Sequence, residues 1–287
     1  MKPLYEDQIH VPSFLKCCTH IWSDDVSRSQ KSGVYDYYKG ISEEFNLPLV
    51  DHTNLPESGV IFVGMCHLIE SVFQSMPNTG NYIIIHRTND RSFTPEMYSV
   101  KPKSVRFIYT VDCRVIADDV CAIPFGNASI NGEDEIVKMV AKETVEPAKT
   151  KMFVRFNINN DGSTAHRAYA LNNIPRDSFA KVITEQIPGD EFYRQVKAHK
   201  YTLALAGCGA DASRQWTALQ LGSIPIVTDC IEMRHFEDMP LIYCPRDIKD
   251  LTLEWLDSQD LSSKSTDRMR MSYWSKHIET KRKELSI

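Results

Sequence analysis

Short apolar runs rich in β-branched residues alternate along the first half of the chain with segments whose apolar positions recur every three or four residues. That is the pattern of strands interleaved with helices. Strands are expected at 14–22, 47–50, 60–65, 82–86, 105–110 and 120–123. Between them Val34, Tyr37, Tyr38, Ile41 and Phe45 repeat at near-helical spacing, as do Leu68, Ile69, Val72 and Phe73. The alternation resumes in the second half: strand 152–156, helices from about Thr164 and from Asp190, strand 201–206, helix 212–221, strands 224–228 and 241–244. An acidic helix-like segment at 132–146, closed by Pro147, separates the halves. The expected fold class is therefore α/β, with two Rossmann-like domains built on mostly parallel sheets.

In the tail, Met269, Tyr273, Trp274, His277 and Ile278 form one apolar stripe that needs a surface to pack against. The chain of 287 residues, 42% hydrophobic, is long enough for two such domains. With 33 basic against 38 acidic side chains its net charge is −5, so no overall field attracts nucleic acid or an anionic membrane. No apolar run approaches the roughly 20 residues of a membrane helix, and no membrane span is expected. The N-terminus lacks the order of a signal peptide. The eight cysteines make no Cys-x-x-Cys pair and read as reduced core thiols of a cytoplasmic protein, which leaves the Asn127-Ala128-Ser129 sequon without meaning.

The most informative segment runs from Tyr201 to Asp229 as strand, glycine turn, helix and strand. Gly207 and Gly209 let the backbone approach a ligand closely, and the free amides of the next helix suit phosphate. Arg214, in that helix's first turn, adds a delocalised cation with fork geometry for phosphate oxygens. Asp229 ends the following strand at the sheet edge where ligands bind in open α/β folds. Gly207-x-Gly209-x-x-Ala212, with Asp229 twenty residues after Gly209, nearly satisfies the dinucleotide fingerprint and keeps an NAD(P)-dependent oxidoreductase as an alternative.

The order Gly-x-Gly-x-Asp-x-x-Arg-x-x-x-Ala-Leu-x-x-Gly-x-Ile-Pro-Ile-Val, followed by Asp229 and Phe236-Glu-Asp-Met-Pro-Leu-Ile, resembles the donor-binding half of the exostosin-like glycosyltransferases. Weaker similarities, in Leu55 to Val63, Gly80 to His86, Cys121 to Pro124 and Met152 to Leu171, extend the resemblance over roughly 50–245. It implies the GT-B arrangement: an acceptor-binding domain at 1–130, a linker helix at 131–150, a nucleotide-sugar domain at 151–260, and a C-terminal helix at 261–287 packing back on the first domain. It also implies transfer of a sugar from a nucleoside-diphosphate sugar to a hydroxyl of a glycan acceptor, inverting, with a UDP donor and a lean to UDP-xylose. A bare chain of this kind suits a bacterial or large-virus enzyme.

Arg167 and Arg214 match the family's two phosphate-neighbouring arginines, whose task is to balance the departing diphosphate. The plainer reading of each is a helix arginine lying over apolar neighbours. Asp211 matches a family Asp and reads equally as a helix cap. Thr217 stands where the family has an acid that accepts both ribose hydroxyls, which keeps a non-catalytic glycan or nucleotide binder as a second alternative. Glu232 falls in the loop flanking the donor sugar. The chain has Asp24-Asp25 and Asp118-Asp119 but no Asp-x-Asp, so no metal and no cofactor beyond the donor are expected. Candidates for the base that takes the acceptor's proton are Asp90, His86 and Asp25, with His20 also after the first strand. His67 reads as core. Acceptor, linkage and oligomeric state are not specified by any of these motifs.

Overall fold

The computed structural model describes residues 3–9, 11–23, 34–64, 68–87, 91–127, 132–158, 164–174 and 179–287. The chain divides into two compact units, Val11–Ile123 with Met271–Ile287, and Met1–His10 with Pro124–Arg270.

The first unit holds strands β1 (His20–Trp22), β2 (Leu49–Val50), β3 (Ser58–Val63), β4 (Asn81–His86), β5 (Val105–Thr110) and β6 (Val120–Ala122). They form one parallel sheet of six in the order β2-β1-β3-β4-β5-β6. Its central strands are apolar at consecutive positions because both faces are covered: Val60, Ile61, Ile83, Ile84 and Ile85 are all 0% exposed. The expected strand at 14–22 is shorter. A 3-10 helix occupies Val11–Cys17, and the strand starts only at His20. Phe14 and Leu15 of that helix are both 0% exposed.

The C-terminal helix Met271–Leu285 belongs to this unit and buries Trp274 and Ile278. Trp274 packs edge-on to Tyr109 of β5 at 6.5 Å and lies 6.3 Å from Phe14, while the Tyr109 hydroxyl and His277 Nδ1 are 2.8 Å apart. Tyr273, expected in the buried stripe, is 37% exposed. The expected 261–287 element begins later, since Arg270 still belongs with the second unit.

The second unit holds β7 (Met152–Val154), β8 (Ala180–Val182), β9 (Tyr201–Ala204), β10 (Ile224–Val227) and β11 (Ile242–Tyr243), parallel in the order β11-β10-β9-β7-β8. Met152 and Val154 pack into one apolar layer with Leu203 and Ile226. Phe153, between them in sequence, points into the other, with Val137, Val196 and Ala218. The helix Glu133–Lys142, expected as a linker, is thus part of this unit's core. The first residues, expected with the N-terminal domain, also lie here: the Asn127 amide donates to the Ile9 carbonyl at 2.9 Å. Gly126 makes that approach possible, because with φ +72 a Cβ on it would collide with the Ile9 carbonyl oxygen.

Among the described residues no helix is long and apolar enough to cross a membrane, and every described cysteine is a free thiol. Cys208, expected in the core, is exposed.

Candidate functional site

From β7 the chain moves out to β8 and returns to β9 on the other side of β7, so the carboxyl ends of β7 and β9 form the switch point of the second sheet. Arg155 follows β7 directly, and the turn from Leu205 to Gly209 follows β9. Arg167, fourth residue of the helix Thr164–Asn173 and 2% exposed, ties these two ends together. Its Nε donates to the Ala206 carbonyl at 2.9 Å, Nη1 to that of Asn157 at 2.8 Å and Nη2 to that of Leu205 at 3.1 Å. Burial pulls its pKa down, and among the described residues it has no carboxylate partner. Arg167 therefore ties together, through their carbonyls, the segments that follow β7 and β9.

Arg214 is the second residue of the helix Ser213–Gln220, whose N-cap Ala212 makes no side-chain capping bond. Its guanidinium lies 6.0 Å from the Phe156 ring, and that of Arg167 lies 5.4 Å from the same ring. Burial, then the charges of Arg167 and Arg155, push the Arg214 pKa down to about 10, so it stays cationic at neutral pH. Its Nε is enclosed with no hydrogen-bond partner among the described residues. Arg214 and Arg155 face a cavity of about 440 Å³ that is also lined by Ser213, Thr217, Glu133 and Tyr193.

Thr217 is 4% exposed, and its hydroxyl donates to Asn127 Oδ1 at 3.1 Å. Asn127 in turn donates to Gln8 Oε1 at 3.0 Å and Gln220 Oε1 at 2.7 Å. The Thr217 hydroxyl, at the position where the resemblance calls for a ribose-binding acid, thus closes a buried polar network. Thr217→Val is expected to cost about 1–3 kcal/mol by leaving the Asn127 carbonyl without that donor, read as a lower denaturant midpoint. Unchanged stability would mean that the Asn127 bond is not made.

Asp211 is 5% exposed and directly precedes Ala212, the N-cap of its helix. It accepts from the Phe125 amide at 3.0 and 3.2 Å and from the Trp216 indole nitrogen at 2.5 Å, a structural clamp. Asp229 makes a two-pronged ion pair with Arg234, both contacts at 2.7 Å, and Arg234 lies over the Tyr243 ring. The carboxylate that the dinucleotide fingerprint assigns to a ribose is therefore engaged elsewhere. Glu232 is buried in the short helix Ile231–Arg234. Within the glycine turn the Gly207 amide donates to the Gly209 carbonyl at 2.9 Å.

Of the candidate bases, Asp25 and Asp90 lie outside the described residues, as does His67. His86 ends β4 in the six-stranded unit, 3% exposed, its Nδ1 3.0 Å from Thr110 Oγ1 and its ring 5.9 Å from that of Phe93. His20 opens β1 instead of following it, level with Ile61 of β3, and burial lowers its pKa. Among the described residues no three His, Cys, Asp or Glu side chains gather as a metal site.

Arg155, Glu133 and Tyr193 are the cavity residues that sequence reasoning missed. Arg155 carried one usable signal, its place immediately after an apolar strand. No protein-family model matches this chain, and a search of curated proteins finds none similar to it.

Proposed function

We propose that the protein is a glycosyltransferase of the exostosin-like, GT-B kind, and that its five-stranded unit holds the diphosphate of a nucleoside-diphosphate sugar. The observation that carries this reading is Arg214, whose Nε has no partner among the described residues and which faces, with Arg155, a cavity at the switch point of a parallel sheet. Neighbouring cations that pair with no carboxylate among the described residues repel one another, and an enclosed unpaired charge is costly. A diphosphate relieves both. The uncapped amides at Ser213 and beyond add their partial charge.

As the bond from the sugar carbon to the phosphate oxygen breaks, negative charge grows on the leaving diphosphate. Arg214 and Arg155 stabilise it there, and Arg167 holds the loop in place. The acceptor hydroxyl forms the new bond to the same carbon and gives its proton to a base, for which Asp90, His86 and Asp25 remain the candidates. The arginines supply the charge balance in this reading, and UDP-xylose is the donor to try first.

A thermal-shift panel tests the proposal. UDP or a UDP-sugar at about 100 times its dissociation constant is expected to stabilise the protein by ~2.7 kcal/mol, with EDTA leaving the shift intact. Stabilisation by NAD(H) alone would replace the reading with an oxidoreductase. Stabilisation by free glycans alone would favour the non-catalytic binder, which the Thr217 bond to Asn127 makes the second reading.

A further inference from the structure

The cavity has an acidic end as well as a cationic one. Glu133 is the first residue of its helix, set there by Gly132 in a left-handed turn at φ +74. Its Oε2 accepts from the Tyr193 hydroxyl at 3.3 Å, and among the described residues it pairs with no cation. Burial raises its pKa. Tyr193, 8% exposed on the helix Gly189–Ala198, stands electrostatically between the two ends, feeling both Glu133 and Arg214. Ile136, Ile187 and Phe192 give the cavity an apolar wall. A half-buried carboxylate in the same cavity as two arginines, none of the three in an ion pair among the described residues, fits a ligand that is anionic at one end and donates hydrogen bonds at the other.

We propose that Glu133, backed by Tyr193, reads the ribose cis-diol of the nucleoside diphosphate whose phosphates lie on Arg214 and Arg155. This rests on the nucleotide reading above. A carboxylate has about four acceptor sites, so one bond from Tyr193 leaves room for two donated hydroxyls. Thr217, 4% exposed and with a single oxygen already turned to Asn127, does not offer two hydroxyls a shared acceptor.

Isothermal titration of the full chain with pyrophosphate, UDP and 2′-deoxy-UDP tests it, in wild type and Glu133→Gln. Sites built to hydrogen-bond a hydroxyl reject the analogue that lacks it. Wild type is expected to prefer UDP over the deoxy analogue by roughly tenfold or more, about 1.4 kcal/mol. Glu133→Gln, which keeps an acceptor for Tyr193 and is expected to fold, should bring the two within about threefold while binding pyrophosphate at least as well. A preference that survives the substitution, or a wild type that binds both nucleotides equally, overturns the assignment to Glu133 and leaves the nucleotide reading standing. Failure of wild type to bind either UDP or pyrophosphate overturns both.

Discussion

Arg214→Ala is expected to lower sugar transfer by roughly 30- to 1,000-fold, the 2–4 kcal/mol that one preorganised charge contact contributes to a transition state. The same change should leave folding unharmed or improved. Arg214 makes no ion pair among the described residues, its Nε is enclosed without a partner there, and the charges of Arg167 and Arg155 act against its own. Removing such a group relieves repulsion and desolvation together. Turnover and melting temperature measured on the same preparation therefore move in opposite directions or not together. Near-normal turnover would refute the role. A large drop in melting temperature without ligand would recast Arg214 as a structural residue. Arg167→Ala provides the contrast, since three backbone carbonyls lose their donor.

Trp274→Ala is expected to destabilise the six-stranded unit by about 3–5 kcal/mol, the range for emptying a large aromatic site in a core. Trp274 is fully buried and its ring has Phe14, Tyr109, Tyr273 and His277 around it. Domains typically hold only about 5–15 kcal/mol of net stability, so the loss removes a large share. Hydrogen exchange should register it first in β5 and in the helix Met271–Leu285, where the partners of the indole lie. Protection unchanged in both would mean that the helix is held by something other than this residue.

Much of the fold was legible from local pattern. β3, β4 and β5 stood out because a parallel strand covered on both faces must be apolar at consecutive positions, and Val60 to Val63, Tyr82 to Ile85 and Phe107 to Tyr109 are. β8 escaped notice because three residues with an exposed Lys181 at the centre carry no periodic signal. At 14–22 apolar content suggested one strand, but it does not distinguish a strand from a helical turn, and only His20–Trp22 pair into the sheet after the 3-10 helix Val11–Cys17. The glycine turn and Arg214 were readable because strand, turn and helix are contiguous, so their chemistry is written within about thirty residues.

What the sequence by itself determined, then, is most of the strands and helices and the cationic turn before Arg214, since these follow from neighbours along the chain. Tertiary structure alone decided what each side chain faces. It brought Arg155 beside Arg214 and Glu133 to the same cavity, joined Asp211 to the Phe125 amide across 86 positions, and turned Thr217 toward Asn127 across 90. It also gave the segment ahead of His10 to the second unit through the close approach at Gly126. Hydrogen bonds and charge depend on distance in space. A residue type fixes what a side chain can donate or accept, and only packing fixes which partner it meets.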